Sequence, residues 1–229
     1  MTEIPLSDGL GLLWFFSLWA GYTLYADRFS RRKHSLRQAM HANRLAWMRR
    51  MLLRDNRIMD VNILSNLLQS VSFFASTTLL ILAGLLTILG SSDRVIEIVR
   101  ALPFAAKITL VQWELRLLVL SVIYVYAFFK FTWALRQFNY CSVIVGAAPD
   151  GVDEAYARRA ADLSTLASKD FNQGLRAYYF SLATLGWFLS PWVFAVATAL
   201  VVWVLYVREY RSSALTVLTP DAPAHDGSP

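Results

Sequence analysis

Few residues of this 229-residue chain have the types and spacing of a catalytic or metal site. The three histidines are His34, His41 and His225, and no carboxylate or cysteine completes a metal-binding set with them. The single cysteine, Cys141, has no histidine near it, and the Gly-x-Ser-x-Gly and His-Glu-x-x-His motifs of hydrolases are absent. We therefore expect no catalytic residue, no metal and no cofactor.

Polar side chains collect where three long apolar runs begin or end. Polar groups that enter lipid must find hydrogen-bond partners, so these side chains are expected to meet at the membrane boundary. They form either a network that holds the helix ends together or a site for a headgroup or small anion, with Arg136 and Arg176 as phosphate ligands. This predicted boundary cluster comprises Asp60, Asn62, Asn66, Gln69, Asn139, Asp170, Asn172 and Arg176.

A second group of basic residues could bind anionic lipid or a protein partner. These predicted contact residues are Arg31, Arg32, Lys33, Arg37, Lys130 and Arg136. Lys130 lies inside an apolar run, and its long stem is expected to carry the ammonium group to the headgroups. None of the predicted membrane spans contains a carboxylate, which argues against ion-coupled transport but not against uncoupled conduction.

The composition is that of a membrane protein. Hydrophobic residues make up 56% of the chain and charged residues 17%, which is more apolar surface than the core of one water-soluble domain can bury. Four apolar runs are long enough to cross about 30 Å of hydrocarbon as helices. They predict an all-α membrane bundle in one domain, residues 1–218, with a disordered polar tail at 219–229. The predicted spans are 9–26, 71–90, 117–135 and 179–207.

The basic residues predict the orientation. Segment 27–70 holds ten lysines and arginines and segment 136–178 holds five, whereas 91–116 holds four. Because lysine and arginine accumulate in cytoplasmic loops, 27–70 and 136–178 are expected in the cytoplasm and both termini outside, in a cell inner membrane. The net charge of +6 is concentrated beside apolar runs, so anionic lipid headgroups, not nucleic acid, are the expected partner.

Both cytoplasmic segments contain apolar residues at helical spacing. In the first segment, these residues predict an amphipathic helix that lies either on the protein's own inner surface or in the plane of the headgroups. The second segment carries a similar stripe, with Asp153 as the expected N-cap. In the last span, Ser190-Pro191 predicts a kink. The first stripe is Phe29, Leu36, Met40, Trp47, Met51 and Ile58, and the second is Val152, Tyr156, Ala160, Leu163 and Ala167.

The two halves of the chain resemble each other weakly. Residues 46–50 (AWMRR) resemble residues 155–159 (AYARR), and Asp60-Val61-Asn62 resembles Asp170-Phe171-Asn172. A parallel internal repeat about an axis along the membrane normal would explain these similarities, and chance would explain them equally well.

Three stretches resemble a known family of multi-spanning proteins from bacteria and plants, the "domain of unknown function 599" family. The stretches are residues 72–82 (SFFASTTLLIL), 130–140 (KFTWALRQFNY) and 171–180 (FNQGLRAYYF), followed by 206–211 (YVREYR). The resemblance implies a small helical membrane protein over nearly the whole chain. It implies no activity, so it assigns no site residues.

Three hypotheses of function remain open. The leading one is a non-enzymatic accessory or scaffold subunit that binds lipid, a membrane protein partner or a second copy through its basic cytoplasmic face. The alternative is a small channel or uncoupled carrier with its polar site at the cytoplasmic boundary. A membrane enzyme is the third, and it would need convergent titratable groups that the sequence does not show.

Overall fold

The computed structural model describes residues 6–29, 35–92, 96 and 109–218, and these residues are almost entirely helical. The predicted tail at 219–229 and the basic residues Arg31, Arg32 and Lys33 lie outside the described residues, as do His34 and His225. The helices are α1 (Leu6–Phe29), α2 (Leu36–Leu52), α3 (Ile58–Gly90), α4 (Leu110–Gly146), α5 (Glu154–Leu185), α6 (Pro191–Tyr210) and α7 (Ser213–Leu218).

Local sequence explains where several helices begin. Thr109 and Gln112 form a reciprocal capping box at the start of α4. Asp153, the expected N-cap of α5, accepts a hydrogen bond from the backbone N–H of Tyr156, so that prediction is confirmed. Ser35 caps α2 in the same way by accepting from the N–H of Gln38. Each cap satisfies a backbone donor that would otherwise have no helical partner.

Three parts of the described chain are long and apolar enough to cross a membrane: Ile58–Gly90, Leu110–Gly146 and Pro191–Leu218. Large apolar side chains on them, among them Leu80, Phe129 and Trp192, are well exposed on the protein surface. Helices α3 and α4 have 33 and 37 residues, so they measure about 50 and 55 Å and extend well beyond a hydrocarbon layer. Helix α1, which contains the predicted span 9–26, is outside this group of three, and its crossing stays a prediction.

Contacts at the two ends of the bundle define the direction of each helix. At one end, which we call the Asp8 end, Asp8 of α1 contacts Arg116 of α4 and Trp187 after α5. At the other, the Asp27 end, Asp27 contacts α2 and the middle of α5. Helices α1 and α4 therefore run from the Asp8 end to the Asp27 end, and α3 and α5 run back.

The predicted fourth span, 179–207, is not a single kinked helix. Helix α5 ends at Leu185, a 3₁₀ turn covers Gly186–Phe188, and α6 begins at Pro191. The backbone of Ser190 is extended (φ −164°, ψ 156°), and its hydroxyl caps α6 by accepting from Val193. Because the residue before proline avoids the helical conformation and proline suits the first helical position, Ser190-Pro191 starts a new helix.

Helix α6 returns to the Asp27 end beside α1. Phe194 stacks on Phe15 near its start, and Tyr206 and Tyr210 contact Tyr25 near its end. Leu6 and Tyr210 therefore lie at opposite ends of the bundle. The chain reverses inside the segment that was predicted to be one span, and the orientation of the termini across a membrane stays a prediction.

The apolar stripes of segments 27–70 and 136–178, which were predicted to be cytoplasmic, face the protein's own helices only in part. In α2, Met51 is fully buried and Met40 is partly buried, as a helix packed on α5 requires. In α5, Ala160 and Ala167 are fully buried. Ile58 and Val152 are exposed, because Ile58 belongs to the next helix, α3, and Val152 lies in the turn before α5. The internal repeat stays a prediction, and α2 and α3 are separate helices where α5 is continuous.

Candidate functional site

A basic cavity lies at the Asp27 end, between α1, α2, α5 and α6. Its volume is about 320 Å³. Apolar side chains, including Leu175 and Leu205, form part of its wall. Five cationic side chains line it: Arg37, Arg44, Lys169, Arg176 and Arg208. These five residues come from three helices, so only the tertiary fold brings them together.

Helix α2 supplies two of the five cations because it is held along the first half of α5. Arg44 Nη2 donates to the hydroxyl of Ser168 over 2.8 Å, and His41 Nδ1 lies 3.0 Å from the hydroxyl of Thr165. One turn nearer the end of α2, Arg49 makes a two-point contact with Glu154 at 2.6 and 2.7 Å. These contacts fix α2 against α5 and aim Arg37 and Arg44 into the cavity.

Asp27, in the last turn of α1, contacts three of the five cations. Its Oδ2 atom lies 3.0 Å from Lys169 Nζ and accepts a hydrogen bond from Gln173 Nε2 at 2.9 Å. Its Oδ1 atom lies 3.4 Å from Arg37 Nη1 and 3.6 Å from Arg176 Nη1. The distance to Arg176 is too long for a hydrogen bond, so Asp27 holds the lysine firmly and the two arginines loosely.

The cavity carries excess positive charge. Its nearest carboxylates are Asp27 and Glu209, against five cations. Within the described part of the chain, Arg44 and Arg208 have no carboxylate at ion-pair distance, and each donates to a neutral hydroxyl, of Ser168 and Tyr179 respectively. Burial lowers the pKa of the Arg44 guanidinium, and nearby Arg37 lowers it further. Such an arrangement is suited to an anion whose oxygens accept from several guanidinium groups at once.

A second polar cluster lies on the other side of α5. Lys130 Nζ is 2.9 Å from Asp170 Oδ1, and Gln137 Nε2 donates to Asp170 Oδ2 over 2.7 Å. Lys130 also lies over the ring of Tyr126, 5.8 Å from its centroid. A carboxylate of the neighbouring helix is therefore a partner of Lys130, and its contact with headgroups stays a prediction.

The predicted boundary cluster is divided by the fold. Arg176 and Asn172 line the basic cavity, whereas Asp170 pairs with Lys130. Asp60 is fully buried elsewhere, where it accepts from Trp47 Nε1 at 2.6 Å and from Arg54. Four further members, Asn62, Asn66, Gln69 and Asn139, have exposed side chains on α3 and α4 and join neither cluster. These four residues lie on helix faces that point away from the bundle. Their positions in the sequence do not show which helix face packs against the bundle.

The predicted contact residues are also divided. Arg37 lines the basic cavity. Arg136 is exposed on α4, where it donates to the hydroxyl of Tyr140 and lies over the ring of Trp133. The sequence reading missed Asp27, Arg44, Lys169 and Arg208 as site residues. The available signal was position alone: Asp27 directly follows the first apolar run, and Arg208 ends the last one.

A buried ion pair at the Asp8 end was also missed. Arg116 Nη2 lies 3.4 Å from Asp8 Oδ2, and the two side chains are only 4% and 2% exposed. Trp187 stacks on Arg116, 5.2 Å from the guanidinium carbon to the ring centroid, and its Nε1 donates to Asp8 at 3.0 Å. This contact ties the first turn of α1 and the α5–α6 turn to α4.

Polar groups between the two ends do not form a continuous stripe. Ser181 donates to the hydroxyl of Tyr124 at 3.0 Å, and the hydroxyls of Thr78 and Tyr178 are 2.8 Å apart. Toward Lys130 and Asp170, four aromatic rings then pack together with centroids 5.6 to 5.9 Å apart. These rings are those of Phe74, Phe131, Phe171 and Tyr178, and they fill the space between α3, α4 and α5.

Comparisons with known proteins identify a family but no activity. No curated protein and no solved structure matches the chain. The profile of one family, described as "Protein of unknown function, DUF599", matches residues 10–214, which include the residues that line the basic cavity, the Lys130–Asp170 pair and all of α2 to α6 but not Asp8. The resemblance noted from the short motifs is thereby confirmed, and the chain belongs to the DUF599 family.

Proposed function

We propose that this protein binds the anionic headgroup of a membrane lipid in the basic cavity at the Asp27 end. The observation that carries the proposal is the placement of five cationic side chains around one cavity of about 320 Å³, two of which are bonded, among the described residues, to neutral hydroxyls only. A phosphate group offers several oxygens to such a set, and arginine binds these oxygens through paired N–H groups.

The surroundings of the cavity favour a lipid as the source of the anion. Leu175 of α5 and Leu205 of α6 form part of its wall, and α6 begins the apolar segment Pro191–Leu218. Leu182 lies seven residues after Leu175, on the same face of α5, and is 59% exposed. Acyl chains could therefore lie along α5 and α6 while the headgroup occupies the cavity.

The proposal places the Asp27 end in the cytoplasm, where most of the lysines and arginines collect. Helices α1, α3, α4 and α6 and the second half of α5 would then cross the membrane, which gives five crossings in place of the four predicted. The amino end would be outside and the carboxyl end inside.

Reporter fusions test this topology. A periplasm-active reporter is expected to work when fused before Leu6 and to be silent when fused after Leu218, whereas a cytoplasm-active reporter should behave in the opposite way. Because the same protein carries both fusion sites, each fusion serves as the control for the other. Periplasmic activity at both ends would restore the four-span topology and contradict the reversal at Ser190-Pro191.

Substitution of the two cations without carboxylate partners tests the binding function. Purified Arg44→Gln and Arg208→Gln variants are expected to bind vesicles of phosphatidylcholine with phosphatidic acid roughly 10- to 100-fold more weakly each, since one charge-assisted hydrogen bond contributes roughly 1.5–3 kcal/mol. Vesicle flotation over a range of lipid concentrations measures the effect.

Two arginines at the same end provide matched controls. Arg50 of α2 and Arg211 after α6 are exposed and do not line the cavity. Their glutamine variants change the net charge equally, so they are expected to bind nearly as tightly as the unaltered protein. Equal losses in all four variants would show a diffuse electrostatic attraction and would remove the case for a defined site.

The other hypotheses have less support. Uncoupled conduction requires a polar path, and in the described residues Phe74, Phe131, Phe171 and Tyr178 interrupt one. An accessory or scaffold role remains a proposal, with the basic segment Arg31, Arg32 and Lys33 as its contact for anionic lipid or a partner protein.

A further inference from the structure

Asp27 occupies an unusual position in a site built for an anion. Within the described residues, its carboxylate lies at ion-pair distance from three of the five cavity cations: Arg37, Lys169 and Arg176. The side chain is 19% exposed, so water screens these contacts incompletely. Any bound anion must share these three cations with Asp27 or displace it.

The geometry leaves room for such an exchange. Asp27 contacts Arg37 and Arg176 at 3.4 and 3.6 Å, and Arg176 Nη1 is buried with no hydrogen-bond partner among the described residues. These guanidinium groups therefore retain donors that a ligand oxygen can accept. Lys169, at 3.0 Å, is the cation that Asp27 holds most closely.

We infer that Asp27 is a built-in competitor that makes the cavity select a phosphomonoester headgroup over a phosphodiester headgroup. This inference rests on the proposed function. A phosphodiester has one negative charge, so it replaces the charge of Asp27 at Arg37, Lys169 and Arg176 without adding to it. A phosphomonoester carries about −1.5 to −2 charges and three terminal oxygens near neutral pH, enough to satisfy Arg44 and Arg208 as well.

Neutralising Asp27 tests the inference directly. Phosphatidylcholine vesicles containing either phosphatidic acid or phosphatidylglycerol present a monoester or a diester at the same mole fraction. The unaltered protein is expected to prefer phosphatidic acid about tenfold, since one additional charge-assisted hydrogen bond contributes roughly 1.5 kcal/mol or more. Asp27→Asn should bind phosphatidylglycerol more tightly and lose most of that preference.

Asp162→Asn is the matched control. Asp162 lies on α5 at the same end, has a side chain that is 66% exposed, and lies 3.8 Å from His41, whereas Asp27 contacts Arg37, Lys169 and Arg176. It makes the same change in net charge, so it should keep the preference for phosphatidic acid. The inference would be overturned if a folded Asp27→Asn protein kept the full preference for phosphatidic acid. It would also be overturned if Asp27→Asn and Asp162→Asn lost that preference equally.

The pH dependence of the unaltered protein provides a test that does not depend on a variant folding. Between pH 7.5 and pH 5 a phosphomonoester loses its second charge, because its second pKa is about 6, whereas a phosphodiester keeps its single charge. The preference for phosphatidic acid should therefore nearly disappear at pH 5. An equal preference at both pH values would contradict the inference.

The other charged groups around the cavity cannot produce this result. The charged residues that line it are Arg37, Arg44, Lys169, Arg176, Arg208 and Glu209, and the tyrosines that line it are Tyr22 and Tyr179. Asp27 lies against three of these cations, Arg37, Lys169 and Arg176. Any gain of positive charge by these protein groups would strengthen binding of both lipids alike. A selective loss of phosphatidic acid binding must therefore come from the headgroup.

Further outcomes distinguish a lipid headgroup from a free phosphomonoester, and failure of this inference from failure of the proposed function. Competition by soluble glycerol 3-phosphate at concentrations near those of the lipid would indicate a free phosphomonoester as the ligand, whereas a much weaker effect indicates the lipid. If the unaltered protein binds both lipids equally and Arg44→Gln weakens both, the proposed function stands and the role of Asp27 falls. If it binds neither lipid, both are overturned.

Discussion

Replacing Asp8 by leucine is expected to destabilise the protein by about 3–5 kcal/mol, because it leaves the charge of Arg116 buried without a partner. The two side chains are 2% and 4% exposed, and Arg116 Nε and Nη1 have no hydrogen-bond partner among the described residues. Arginine cannot lose its proton to escape burial. Thermal unfolding in a mild detergent, compared with the unaltered protein, measures the loss.

Two comparisons show whether the ion pair is responsible. Asp8→Leu combined with Arg116→Leu removes both charges, so the double variant should recover most of the lost stability. Arg49→Leu breaks an ion pair that is shorter, at 2.6 Å to Glu154, but exposed on both sides, and it should change the unfolding temperature little. A double variant as unstable as Asp8→Leu alone would assign the effect to lost packing around Trp187.

Adding one methyl group at position 174 is expected to destabilise the bundle by about 1–3 kcal/mol, because the space is already occupied. A Cβ atom at Gly174 would lie 2.5 to 2.8 Å from three ring atoms of Phe131. The ring is fully buried among Phe74, Phe171 and Tyr178, so it has little freedom to move away. The unfolding temperature of Gly174→Ala measures the clash.

The controls for this prediction use a second glycine and the ring itself. Gly84 of α3 has no atom within 4 Å of an added Cβ, so Gly84→Ala should be neutral or stabilise its helix by up to about 1 kcal/mol. Phe131→Leu should partly rescue Gly174→Ala by making room. Equal effects of alanine at positions 84 and 174 would contradict the close approach of α4 and α5.

The local features of this protein were readable from the sequence because they depend on neighbouring residues. The composition and the long apolar runs predict helices, and the described residues are helical at the runs 71–90 and 117–135. Asp153 is recognisable as an N-cap because the bond it accepts comes from a residue three positions away. Ser190-Pro191 marks an interruption for a similarly local reason.

Whether the chain bends or reverses at Ser190-Pro191 depends on what the next helix packs against. Both outcomes satisfy the proline, and only the contacts of Phe194 with Phe15 and of Tyr206 with Tyr25 determine that α6 returns beside α1. The number of helices between the two ends and the relative positions of Leu6 and Tyr210 follow from those contacts.

The site shows the same division. The sequence alone determined that the protein is a helical chain with long apolar segments, basic residues concentrated in segments 27–70 and 136–178 and none of the catalytic or metal-binding motifs sought. Only the tertiary structure decided that Arg37 and Arg44 of α2, Lys169 and Arg176 of α5 and Arg208 of α6 surround one cavity beside Asp27. The physical reason is that periodicity shows which residues share a face of one helix, whereas the packing of helices far apart in the sequence determines which faces meet.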